Sequence, residues 1–394
     1  MSRYRLQPTP WQEGVLLSHC AHARYVWNLC IEQESWWRPG RGRMPRLAER
    51  CRQLTEARAE SPWLAEGSAV VQQQAIRDHD QAMQNFFAGT HRRPTWRRKG
   101  EDEGFRIVGI GPGDVRRLNR NWAEAKVPKV GWVRFRWSRS VPGHVKSGRV
   151  TRDRAGRWHI AFAIIPAPVE APRTGDVVGV DRGVTVSAAL STGEMMTVPG
   201  LSAQERARLG RLELRLARAE RRSARRGKVK MAVARLKARE ADRRKDWCEK
   251  LSTDLACRFD VIRVEDLKIG NMTRSAKGTA VAPGSNVRQK AGLNRGILRS
   301  GWGLLVRRLE EKAPGRVEKV SPAFTSQRCS ACGHVDAKSR ESQAVFACTA
   351  CGFACNADVN AARNIAAGHA VTAREGFGIT RPVNREPQPL LQPV

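Results

Sequence analysis

The chain has 394 residues, with 71 Lys and Arg against 38 Asp and Glu, a formal net charge of +33. That length allows two or three domains and a sizeable core, but a charge excess of this size opposes folding by self-repulsion unless a dense polyanion relieves it. An anionic membrane is the weaker partner, because no apolar run approaches the ~18 residues of a spanning helix, and Met1-Ser2-Arg3-Tyr4-Arg5 opens no signal-peptide pattern.

Residues 11–90 read as helical: Val15, Leu16, His19, Ala23, Val26, Trp27 and Cys30 recur mostly at three- and four-residue steps, as do Val70, Gln74, Arg77, Gln81, Gln84 and Phe87 on a more polar face. Gly89 and the cluster from His91 to Gly100 end that region. Residues 102–171 read as strands, at Phe105-Arg106-Ile107-Val108, Val133-Arg134-Phe135-Arg136-Trp137, Arg149-Val150-Thr151-Arg152 and Trp158-His159-Ile160-Ala161-Phe162-Ala163-Ile164, punctuated by Gly111-Pro112-Gly113, Val141-Pro142-Gly143 and Ala155-Gly156. Several of the twelve tryptophans sit among cations, as in Trp96-Arg97-Arg98-Lys99. Rings between cations can stack on bases, while any single tryptophan is by default a core residue. Arg97, Arg98 and Lys99 are candidate phosphate contacts.

The proline-rich stretch from Pro166 to Pro172 is a linker. A buried strand follows and ends in an acid, Asp181, before the turn at Gly183 and a second strand. Residues 202–257 form a very basic helical hairpin, opened by a Ser202/Glu205 capping box and bent at Arg225-Arg226-Gly227-Lys228. Its charge is mostly of one sign, so Arg221, Arg222, Arg225 and Arg226 are candidates for a phosphate track. Residues 259–267 give another buried strand ending in Glu265, then a polar loop at 270–290, a helix at about 292–313 and a strand at Val317–Val320. The tail after Gly376 is proline-rich.

Cys329, Cys332, Cys348 and Cys351 form two C-x-x-C knuckles separated by fifteen residues. At this spacing four thiolates can enclose one structural Zn²⁺ with no open coordination position. The other six cysteines are scattered, which suits a reducing cytosol rather than a disulfide framework. Seven residues after the last knuckle stands Asp358, at the start of a predicted helix. Separately, Asp358 could be an N-cap, Asp181 a turn residue and Glu265 a surface acid. Together, in a basic chain, they suggest a metal-dependent nuclease. Hydrolysing a phosphodiester needs a positioned water and neutralised charge, which two Mg²⁺ ions held by clustered carboxylates supply. Hard oxygen ligands suit Mg²⁺ or Mn²⁺ rather than zinc.

Gly179-Val180-Asp181-Arg182-Gly183, Val264-Glu265-Asp266-Leu267 and Asn356-Ala357-Asp358-Val359-Asn360-Ala361-Ala362 resemble the three nuclease segments of the TnpB family of transposon-encoded RNA-guided nucleases, relatives of the compact type V CRISPR effectors. Phe324-Thr325-Ser326-Gln327-Arg328-Cys329, Asn85-Phe86-Phe87, the N-terminal Arg5-Leu6-Gln7-Pro8-Thr9 and Arg24-Tyr25-Val26-Trp27-Asn28 fit the same family, so the resemblance covers nearly the whole chain. It implies an α/β multidomain protein. A wedge-like β-barrel (1–10 and 102–171) would carry an inserted helical recognition lobe (11–101). An RNase H-like, RuvC-type nuclease (172–322 and 354–394, with the hairpin at 202–257) would be interrupted by a zinc-finger insert at 323–353.

The resemblance further implies that Asp181, Glu265 and Asp358 bind two Mg²⁺ (or Mn²⁺) ions. Arg340 is the candidate for the finger-loop arginine that approaches the scissile phosphate; otherwise it is an exposed loop charge. Asn356 stands where many relatives carry an acid, and Arg182 where an apolar residue is usual. The expected partners are a guide RNA with a structured scaffold and a double-stranded DNA target beside a short motif, with a monomer favoured and the prokaryotic cytoplasm as location. A guided DNA-binding repressor without cleavage and an unguided transposase are the alternatives.

Overall fold

A computed structural model of the chain describes residues 2–36, 44–141, 145–164 and 167–368. The expected turn residues Pro142 and Gly143, Pro166 of the linker and the tail after Gly376 lie outside the described residues. The chain divides into two compact units, Met1–Ala167 with Pro199–Arg243, and Pro168–Val198 with Arg244–Val394.

The first unit opens with strand β1 (Ser2–Gln7) and helices α1 (Pro10–Trp36), α2 (Leu47–Glu60), α3 (Pro62–Glu66) and α4 (Ala69–Phe87). Six strands follow: β2 (Gly104–Val108), β3 (Val115–Arg117), β4 (Trp122–Val127), β5 (Gly131–Arg136), β6 (Ser147–Arg152) and β7 (Trp158–Ala163). They form one seven-stranded sheet in the order β2-β6-β7-β1-β5-β4-β3, antiparallel at every pairing. β1 holds the centre, pairing Ser2 to Arg5 with β7 and then Leu6 and Gln7 with β5. Tyr4, Leu6, Phe105, Ile107, Phe135, Ile160 and Phe162 fill its inner face, and α1 and α4 pack against β2. β3 and β4 go beyond the strands read from sequence. The stripe read on α4 is largely its outward one: Val70 and Phe87 are exposed, while Val71, Ala75, Ile76, His79 and Met83 turn inward.

Helices α5 (Ala203–Arg218) and α6 (Ala224–Arg258) form the basic hairpin, closed by Leu212, Val229, Val233 and Leu236. The Ser202/Glu205 capping box is present, and Glu205 also accepts from Arg239 and Arg243. The bend differs from its expected position. Arg225 to Lys228 already lie inside α6, and the chain reverses at residues 219–223, because the Ser223 hydroxyl accepts from Arg226 N and starts the helix five residues earlier.

In the second unit, β8 (Val177–Asp181), β9 (Ala188–Leu190), β10 (Met195–Met196), β11 (Val261–Glu265) and β12 (Val317–Val320) make a five-stranded sheet in the order β10-β9-β8-β11-β12. β9 and β10 run antiparallel, whereas β8, β11 and β12 are parallel. A short turn of helix, α7 (Ile269–Met272), precedes α8 (Val287–Ser300) and α9 (Trp302–Lys312). The sequence pattern read as one helix breaks here because Gly301 takes a left-handed φ of 74°, ending α8 and starting α9. The C-terminal part of α6 and α9 cover the sheet through Leu251, Leu255, Leu305 and Leu309. A small hairpin, β13 (Val345–Ala347) and β14 (Ala354–Asn356), leads into α10 (Ala357–Ala367). No helix among the described residues is long and apolar enough to cross a membrane.

Candidate functional site

Two of the three acids are brought together by strand register. Val180 of β8 pairs with Val264 of β11 in a parallel ladder, so Asp181 and Glu265 leave the carboxyl ends of neighbouring strands side by side. The third comes from α10, which lies across β8. The approach requires Gly179: a Cβ there would sit 2.0 Å from Ala362 O and 2.4 Å from Ala366 N. The side chain of Asn356, not Asp358, caps α10, accepting from Asp358 N and Val359 N at 3.0 and 3.2 Å. Asp358 in the first turn is therefore free for other work, and the neutral residue at 356 has a capping role of its own.

All three carboxylates are raised above their ordinary values, and Glu265 and Asp358 add to the rise of Asp181. Asp181 is pushed up to about 7, first by burial and then by the negative charges of Glu265 and Asp358, with Arg340 opposing. Burial also raises Glu265, opposed by Thr325, Arg182 and Arg340, and it raises Asp358 against Arg340. Arg340, on the finger, lies 3.6 Å from Asp358 Oδ1. Arg182 is 5% exposed and donates to the backbone carbonyl of Glu265, not to its carboxylate, and its Nε has no partner. Three carboxylates, Glu265 buried and Asp181 and Asp358 half-buried, thus face two guanidiniums that compensate them only in part, and oxygen donors of this kind suit a hard divalent cation.

The four knuckle cysteines converge as their spacing predicts. Their sulfurs all lie within 4.8 Å of one another, with Cys329 to Cys351 at 3.8 Å and Cys332 to Cys348 at 3.6 Å. Zn–S bonds of about 2.3 Å in a tetrahedron put sulfurs ~3.8 Å apart, so the donor set fits one zinc ion. Among the described residues this is the one group of three or more His, Cys, Asp and Glu gathered so tightly. The three acids are spaced more widely.

The basic candidates differ in environment. Arg98 and Lys99 are exposed, while the Arg97 guanidinium stacks 3.6 Å above the Trp27 ring, and burial lowers its pKa to about 10. Arg221 and Arg222 are exposed at the hairpin bend and Arg225 in the first turn of α6, while Arg226 donates to the carbonyls of Leu216 and Ala219 at the end of α5.

Residue types alone did not mark the supporting groups. Thr325 donates from Oγ1 to Glu265 Oε1 at 2.6 Å, and the amides of Asn360 and Asn364 reach back to the segment before Cys329. Two asparagines four residues apart on a helix face full of alanine are the one local signal of such a role, since polar side chains on a buried face need partners there.

The models of known families that match are a Cas12f1-like TNB domain over residues 302–365, a probable transposase over 159–276 and a helix-turn-helix domain over 2–42. In this chain the described part of that last range is β1 and one uninterrupted helix, α1. A putative RNA-guided DNA endonuclease, InsQ, of Escherichia coli (strain K12) is 34% identical over 400 residues, covering 99% of this chain and 98% of that protein. Another putative RNA-guided DNA endonuclease, from Streptomyces pristinaespiralis, is 31% identical over 96% of this chain and 91% of its own length. A solved Cas12f1 in complex with single guide RNA and target DNA shares the fold, with a TM-score of 0.53 at 15% identity over 90% of this chain and 82% of that one. The chain belongs to the TnpB family.

Proposed function

We propose that the chain is an RNA-guided DNA endonuclease in which Asp181, Glu265 and Asp358 hold two Mg²⁺ or Mn²⁺ ions for phosphodiester hydrolysis at a single site. The observation that carries the reading is the cluster of three carboxylates at the ends of β8 and β11 and the start of α10, in which Glu265 and Asp358 help to raise Asp181. Its relatives' names describe RNA-guided cleavage of DNA, and a net charge of +33 suits two nucleic-acid partners at once.

The order β10-β9-β8-β11-β12, with three antiparallel strands followed by two parallel ones, supports an RNase H-like nuclease of RuvC type. The seven-stranded antiparallel sheet supports a wedge role for 1–10 and 102–171, with the helices at 11–101 as recognition lobe. The finger at 323–353 is a structural zinc insert within a nuclease of 172–322 and 354–394, and its thiolates suit the cytosol.

Asp181, Glu265 and Asp358 would hold the divalent ions, which when bound would supply an activated water and neutralise charge at the phosphate. Arg340 balances Asp358 and is aimed from the finger toward the same place, where a phosphate would meet it. Arg221, Arg222 and Arg225, with Arg98 and Lys99, contribute phosphate contacts that give affinity without chemistry.

The test is guide exchange. The protein isolated from its host should carry an RNA of defined scaffold, and replacing the guide portion should redirect cleavage of plasmid DNA to the matching sequence. Cleavage without RNA means an unguided nuclease or transposase. Guided binding without cleavage in Mg²⁺ or Mn²⁺ means a repressor.

A further inference from the structure

Residues 324–330 connect the wall of the acid cluster to the first knuckle, and they are bonded at both ends. At one end Thr325 Oγ1 lies 2.6 Å from Glu265 Oε1 and 3.2 Å from Pro322 O. A hydroxyl has one proton to give, and the shorter bond to the carboxylate takes it. At the other end the segment is fastened to α10. Asn364 Nδ2 donates to Thr325 O at 2.9 Å and to Arg328 O at 2.7 Å. Asn360 Nδ2 donates to Arg328 O at 2.7 Å, and Asn360 Oδ1 accepts from Ser330 N at 2.9 Å. All four side chains are buried: Glu265 is 9% exposed, Thr325 5%, Asn364 4% and Asn360 0%. The stretch of chain that grips Glu265 is thus bolted to the helix that bears Asp358, and it contains the first zinc ligand, Cys329. A hydrogen bond from a neighbour to a ligating carboxylate fixes its orientation, and here that neighbour is itself fixed to a second ligand's helix.

We propose that Thr325 is a positioning residue for divalent-ion binding: its hydroxyl aligns the Glu265 carboxylate, and Asn360 and Asn364 keep that alignment in register with Asp358. The inference rests on the reading of Glu265 and Asp358 as metal ligands.

The probe is Mn²⁺ alone, titrated calorimetrically into the full-length protein freed of nucleic acid, with no DNA and no turnover. Thr325→Val removes the donor at nearly constant shape, and Thr325→Ser keeps it. Thr325→Val should weaken Mn²⁺ binding roughly tenfold or more, while elemental analysis still finds its zinc. Thr325→Ser should recover most of the affinity. The positioning role is overturned if Thr325→Val binds Mn²⁺ as the unaltered protein does, including the case in which only its melting temperature falls, or if Thr325→Ser is as weak as Thr325→Val. Should the valine variant fail to fold, Thr325→Ala against Thr325→Ser gives the same comparison. Glu265→Gln separates the two levels of the claim. If it binds Mn²⁺ normally, the metal-site reading falls and this inference falls with it. If it loses binding while Thr325→Val does not, only the role of Thr325 is wrong.

Discussion

Each unit buries a cluster of charged side chains, and the two are built on opposite principles. In the first unit Glu34, Arg50 and His79 close on themselves: Arg50 donates to Glu34 at 3.3 Å and meets His79 Nδ1 at 3.0 Å, and His79 Nε2 lies 3.5 Å from Glu34. Burial, reinforced by Arg50 and Arg97, lowers His79 to about 4, so it stays neutral and the pair balances without it. In the second unit three acids are gathered, and two guanidiniums compensate them only in part: Arg182 donates to a backbone carbonyl, and Arg340 lies 3.6 Å from Asp358 Oδ1. A self-neutralising cluster holds a fold together. An unbalanced one is held together by the fold, and it is available to a cation.

The largest effect should come from removing the frame that gathers the acids. Cys329→Ser or Cys351→Ser should lose the one zinc that a single Cys₄ site binds and loosen the start of α10. Metal binding in such sites is folding free energy, with apparent values of about 10–16 kcal/mol in finger peptides. Elemental analysis together with amide exchange over residues 354–368 checks this. Undiminished protection after zinc loss would mean that the acids need no such frame.

Next in size is the self-neutralised cluster. Arg50→Ala strands a buried carboxylate and should cost about 3–5 kcal/mol of stability, seen as a lower denaturant midpoint, with Mn²⁺ affinity unmoved. A loss of Mn²⁺ binding in this variant would erase the contrast between the clusters.

The smallest effect, and the sharpest in sign, is on pH. His79 and His159 are both lowered to about 4, chiefly by burial, so the unfolded chain binds more protons between about pH 6.5 and 4. Their contribution is complete above pH 6.5 and is lost as pH falls through 4. Asp181, raised to about 7, acts in the other direction. In chelated protein its contribution is complete below the ordinary carboxylate value and is lost as pH rises through 7. Denaturation of chelated protein should show His79→Gln flattening the acid-side loss and Asp181→Asn flattening the neutral-side one. Slopes of the same sign would contradict the assignment.

How much of this was legible in the sequence follows the range of the interactions. The knuckles were, because ligand spacing is local chemistry, and so were the ends of β8 and β11, where an apolar run stops at an acid. The capping box at Ser202 was legible for the same reason. Strands β3 and β4 were not, although they join β5 in a local meander: β3 is only three residues long, and two of the three buried positions of β4 are alanines, Ala123 and Ala125, which are poor strand formers. Gly301 and Ser223 moved helix boundaries by single-residue conformations that an apolar period does not register. Thr325, Asn360 and Asn364 had ordinary residue types, and only the path of the chain brings their bonds to Glu265 and to the finger segment.

The most direct test of the central claim, that the unbalanced acids carry the chemistry, compares cleavage with binding in one set of variants. Asp181→Ala, Glu265→Ala and Asp358→Ala should each lower guided cleavage of plasmid DNA in Mg²⁺ by roughly a thousandfold or more, the equivalent of several kcal/mol of metal-dependent stabilisation. Guided binding to the same DNA should survive, because phosphate contacts elsewhere carry the affinity. Near-normal cutting by any one of the three would contradict the account.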